Sequence, residues 1–145
     1  MPIEALENLV RINKLNPEPP DQIEFDGMVL AAATRLKDVQ LVGLSLDSQF
    51  SLAYGAAHAL ALAALRWHGY RSEQRYLVFQ CLPHTLGLSK AKWRVLDKCH
   101  TCRNLAEYEG HQDIDVQLLK ELIEIANELH GLVNDLVNDL GPVEK

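Results

Sequence analysis

The sequence predicts an all-α fold, an up-and-down antiparallel bundle of four to six helices. Three observations carry that expectation. Apolar residues recur every three or four positions in long segments, and no stretch sustains the alternation of a half-buried strand. Glycine, proline and serine breaks fall at spacings that suit helices. A chain of 145 residues closes a core without disulfides or metal, so it reads as one domain over 1–145. Within it, 1–23 form an N-terminal helix with a proline-rich linker, and 24–140 form the core bundle.

Pro2 suits a helix start, and Ile3, Leu6, Leu9 and Val10 form an apolar stripe reaching about Leu15. The run NPEPPDQ then breaks the chain, because proline has no backbone N–H to give a helix interior. A second helix is expected over about 25–42, with Met28, Ala31, Ala32, Leu36 and Val39 at helical spacing and Gly43 as its stop. SLDSQ supplies Ser and Asp caps for a third, over about 46–68. That helix is apolar nearly all round, which suits the middle of a bundle, and its alanines and Gly55 allow close approach. Gly69 ends it and Ser72 is positioned to cap a shorter helix over about 73–81. Pro83 and Gly87 follow, and Ser89 caps a helix ending at Gly110. The last helix, about 115–140, carries Leu118, Leu122, Ile125, Leu129, Leu132, Leu136 and Leu140 as one seam fit for a bundle or a helical partner.

Composition bounds the function classes. The first fifteen residues carry Glu4 and Glu7 and no unbroken apolar core, so they do not read as a signal peptide. The longest apolar run, 52–65, is too short to cross a bilayer, so no membrane association is expected. An odd count of three cysteines argues for a reducing compartment, and the expected location is the cytoplasm. The net charge of −6 conceals a pattern: residues 1–65 carry −4, residues 66–103 carry +6, and residues 104–145 carry −8. A basic middle between acidic flanks is either a local attractor for a polyanion or one solvated helix face.

The stretch DKCHTCRNLAEYEG holds two candidate sites. Cys81 and His84, then Cys99 and Cys102, come near zinc-ligand spacing. Against that, Val95, Cys99, Cys102 and Ala106 form a helical core stripe, and structural zinc draws its ligands from knuckles and turns. A thioredoxin-type couple needs a strand before the CxxC, and none is expected. No metal and no cofactor is therefore assigned. In the second half, Arg103 lies one step round the helix from Cys102, with His100 and Glu107 on its own stripe. Asn104 and Tyr108 share the next. Such a cluster can grip phosphate and move protons; alternatively, Arg103 simply pairs with Glu107.

The run LDSQFSLAYGAAHALALAALRWHGYRSEQR followed by RNLAEYEG resembles the HEPN superfamily (higher eukaryotes and prokaryotes nucleotide-binding). The matching positions are Ser45, Gln49, Phe50, Ala53, Tyr54, Ala56, His58, Ala61, Ala63, Leu65, Gly69, Tyr70 and Arg71, then Arg103, Asn104, Ala106, Glu107 and Tyr108. The resemblance covers about 24–140. It implies a helical bundle that commonly dimerises, and metal-independent endoribonucleases often partnered by an antitoxin or nucleotidyltransferase. Their signature is Arg, a polar residue, and a His after three to five more, facing a dimer cleft. Arg103 and Asn104 match the first two. At the histidine positions stand Tyr108, Glu109 and Gly110, with His111 one residue later. Cleavage through a ribose 2′-hydroxyl needs a base and an acid. Arginine serves as neither at neutral pH, and tyrosine, with a pKa near 10, is a poor base. His100 or His111 would have to substitute.

Three functional readings follow. The first is a HEPN-type RNA-directed protein of a bacterial toxin–antitoxin or defence system, cleaving RNA without metal at a homodimer cleft. The second is a non-catalytic module binding nucleotide, RNA or protein, its histidine lost. The third is a plain helical interaction protein. The candidate catalytic residues are Arg103, Asn104, Tyr108, His100 and His111. His58, on the apolar helix, reads as a core histidine, and Tyr54 as core or cleft lining. Trp67 and Trp93 read as packing residues, with base stacking as the alternative.

Overall fold

The computed structural model describes residues 3–109 and 114–140, with side chains outside 106–109 and 139–140. In chain order the elements are α1 (Glu4–Arg11), β1 (Asn16–Pro17), α2 (Gln22–Asp38), α3 (Leu46–Trp67), β2 (Tyr70–Arg71), α4 (Arg75–Gln80), α5 (Leu82–Thr85), α6 (Lys90–Glu109) and α7 (Val116–Leu140). The architecture is an all-α helical bundle. The strands amount to one antiparallel contact, Asn16 opposite Arg71 and Pro17 opposite Tyr70.

Local chemistry sets the ends. α1 stops at Arg11, before the prolines, because Asn13 takes a left-handed conformation and the N–H of Lys14 returns to the Leu9 carbonyl at 2.8 Å. α2 begins earlier than its apolar spacing suggests, since an Asp21 carboxylate oxygen accepts from the N–H groups of Ile23 and Glu24. It also ends earlier, at Asp38; Val42 is fully exposed, so no burial rewards a further turn. Ser45 caps α3 by accepting from Ser48 N–H at 3.1 Å, and Gly69 closes it at φ +91°, a conformation that favours glycine. Ser72 accepts from the N–H of Gln74, two residues on, so it forms a turn ahead of α4 rather than a helix cap.

α3 is the central helix. It packs against α2 and α7, and more lightly against α4 and α5. Its buried residues run from Phe50 to Trp67 and include Tyr54, Ala56, Ala57, Leu60 and Leu65. The core also takes in Leu6 and Leu15 from the N-terminal segment, Leu122 and Leu129 from the expected α7 seam, and Ala126 and Val133 beside it.

Arg66, at the end of α3, is only 2% exposed and fastens the proline-rich segment. Its Nε donates to Glu24 at 2.6 Å, Nη1 to the Glu18 carbonyl at 2.9 Å and Nη2 to the Pro19 carbonyl at 2.7 Å. Nη1 also reaches the Tyr70 carbonyl at 3.3 Å. Arg71 pairs with Glu18 at 2.8 Å and with Glu24. Donation from Arg66 first, then from Arg71, holds the Glu24 carboxyl below its usual range against the opposing effect of burial. The proline-rich run is thus held through its carbonyls: prolines offer acceptors but no donors, and the buried Arg66 fork donates to them.

Candidate functional site

On α3, Ser51, Tyr54, Gly55 and His58 fall on one face, three or four residues apart. Three helices bring an arginine each to that face: Arg35 from α2, Arg75 from the start of α4 and Arg103 from α6. Together they line a cavity of about 290 Å³. No carboxylate lines it among the described residues. Arg35 passes directly over Gly55, where a Cβ would be in ordinary contact with its Cδ at 3.4 Å. The close approach expected of this glycine is therefore to a side chain crossing α3.

Tyr54 forms the floor. It is 1% exposed, with the Arg103 guanidinium 5.2 Å and that of Arg75 5.8 Å from its ring centroid. Both lie within cation–π range. Burial raises the phenol's pKa while the two arginines oppose the rise, so the hydroxyl keeps its proton. His58 is governed by the same cations. Burial, followed by Arg75, Arg103, Arg35 and His100, pushes its imidazole down to about 4. It is neutral at neutral pH.

A second set of contacts leads away from the floor. The Tyr54 hydroxyl lies 3.1 Å from Nδ1 of His100, whose Nε2 lies 3.2 Å from the Asn104 side-chain amide. Either neutral tautomer of His100 satisfies both contacts, provided the Asn104 amide turns to match. Tyr54, His100 and Asn104 thus form one hydrogen-bonded chain behind the cavity floor.

Of the residues expected from sequence, Arg103 lines the cavity, and His100 and Asn104 stand behind its floor. Asn104 bonds to His100 one turn earlier, a partnership the sequence reading did not make. The side chain of Tyr108 and the whole of His111 lie outside the described residues, as does the side chain of Glu107. Sequence reasoning missed Arg35 and Arg75 and read His58 as core. The i, i+4 pair of Tyr54 and His58 was a usable signal; Arg35, some twenty residues upstream, gave none.

The cysteine half behaves as core. Cys81 and Cys99 are buried, at 1% and 0% exposure. Burial pushes their thiols up to about 11 and about 12, and Cys102 also shifts upward for the same first cause. Protonated thiols are weak ligands and weak nucleophiles. Among the described residues no group of three or more His, Cys, Asp and Glu gathers as a metal-holding cluster.

The basic segment does not form one face. Arg66 and Arg71 are tied into the proline clasp, and Lys92 pairs with Glu128 on α7. Lys90, Arg94 and Lys98 follow one exposed stripe of α6, and only Arg75 and Arg103 enter the cavity. Comparison with family models, with curated proteins and with solved structures finds no match to this chain.

Proposed function

We propose that this chain is a HEPN-like, RNA-directed protein that binds an RNA phosphate among Arg35, Arg75 and Arg103. The observation that carries the proposal is the convergence of three permanent cations from three helices on one cavity. Guanidinium groups match phosphate oxygens two at a time, in charge-assisted hydrogen bonds stronger than neutral ones. Neutral His58 adds hydrogen-bonding capacity without adding negative charge, and Tyr54 contributes its ring as the floor while its hydroxyl contacts His100. The toxin–antitoxin or defence setting, the homodimer and the antitoxin or nucleotidyltransferase partner come from the sequence resemblance alone.

One observation favours a second reading, metal-independent cleavage. His58, in the base form at neutral pH, lines the same cavity as Arg103 and supplies an imidazole that the α6 signature lacks. It would take the proton of a ribose 2′-hydroxyl as that oxygen bonds to phosphorus. Arginine would balance the charge of the phosphorane, the bond from phosphorus to the 5′-oxygen would break, and that oxygen would take a proton from water, leaving a 2′,3′-cyclic phosphate.

The test is binding of labelled oligouridylate in excess EDTA, followed by anisotropy and then run on a gel. Wild type binds, and Arg103→Gln or Arg75→Gln binds at least about tenfold more weakly. RNA that stays intact supports the binding reading. Cleavage that disappears in His58→Asn supports the second. A folded wild type that neither binds nor cuts overturns both.

A further inference from the structure

We propose that Tyr76 is the base-stacking subsite of this cavity: a single-stranded nucleotide whose phosphate lies among the arginines rests its base on that ring. The inference rests on the phosphate-binding reading above and adds the part of the ligand that the cavity does not hold.

Tyr76 follows Arg75 on α4, so its backbone sits about 3.8 Å further along the chain, turned by about 100°. A phosphate held by Arg75 thereby keeps its own nucleotide within reach of the ring. Tyr76 is 43% exposed and is the one aromatic among the exposed large apolar residues described. Its ring is nonetheless fixed from behind. Trp93 packs against it at 6.0 Å between centroids and 72° between planes, and His100 at 5.9 Å and 48°. His100 in turn contacts Tyr54 on the cavity floor at 3.1 Å. An unbroken line of rings therefore leads from the floor, through His100, to an open aromatic surface.

The energetics suit a base better than a general apolar contact. A ring already ordered by Trp93 and His100 loses little side-chain entropy when it is covered, and any base offers a π-face to it. The flanking cations face the backbone of the same strand, the combination used by proteins that hold single strands with little sequence preference. Trp93 itself supports the platform from within. The sequence reads Trp67 and Trp93 as packing residues, with stacking as the alternative; the open ring belongs to Tyr76.

The test compares labelled oligouridylate with an abasic ribose-phosphate oligomer of equal length, so that charge is constant and only the bases differ. Wild type binds the oligouridylate about tenfold more tightly than the abasic strand. Tyr76→Ala removes that preference while leaving abasic binding unchanged, and Tyr76→Phe, which keeps the ring, retains it. Arg75→Gln weakens both strands. Tyr76→Ala with the preference intact, or with equal loss on the abasic strand, overturns the stacking subsite and leaves the phosphate site standing. Binding of both strands that is insensitive to Arg75→Gln and Arg103→Gln overturns the phosphate reading, and the subsite with it.

Discussion

His58 faces a guanidinium from each of three helices, Arg35 on α2, Arg75 on α4 and Arg103 on α6, with His100 also on α6 and Tyr54 on its own helix. Their fields add to burial, and the imidazole titrates at about 4 instead of the usual 6.5 or so. An anion among those arginines cancels part of the field, so His58 binds a proton more readily in the complex than in the free protein. Linkage then fixes the sign: as pH falls from 7 toward 5, RNA binding tightens and takes up protons. Oligouridylate, whose base has no proton-accepting site in this range, should show the rise with wild type and a flat profile with His58→Asn. A flat wild-type profile would remove His58 from the site. At this scale the sequence was half legible. Arg103 and Asn104 stood out because a cation and an amide adjoined on one helix. Arg35 and Arg75 did not, since nothing in a linear pattern tells which arginines of separate helices share a cavity.

At the scale of elements, the helices were legible wherever a cap and an apolar period agreed, as for α3, whose ends match Ser45 and Gly69. They were misjudged where a short polar contact outweighed periodicity. Asp21 starts α2 early, and Asn13 ends α1 four residues short of Leu15. The clasp around Arg66 was not legible at all, because its acceptors are main-chain carbonyls of a proline-rich run. It carries a firm prediction. Arg66→Leu leaves the carbonyls of Glu18, Pro19 and Tyr70 without this donor and the Glu24 carboxylate with Arg71 alone, and should cost about 1–3 kcal/mol of stability in urea unfolding. A loss below about 1 kcal/mol would show that solvent replaces the clasp. Glu24 gives the matching acid dependence. Its folded pKa is depressed, so its contribution is present above the ordinary glutamate value of about 4.3 and is lost as pH falls through the lower folded value. In Arg66→Leu that acid step should shrink.

For the molecule as a whole, charge is sorted rather than spread. An acidic chain of net −6 places three arginines round one cavity and binds Arg66, Arg71 and Lys92 of its central segment into ion pairs. Bulk repulsion of polyanions and local attraction then coexist, which favours a strand entering at one place over a duplex lying along the surface. The central claim is that these arginines contact RNA phosphate. It is tested most directly by the salt dependence of oligouridylate affinity, because each phosphate contact adds about 0.7 to the slope of log affinity against log salt for a single strand. Arg75→Gln should lower that slope by about 0.7, while Lys120→Gln, on α7 away from the cavity, should leave it unchanged. Slopes that are equal for wild type and Arg75→Gln would contradict the account.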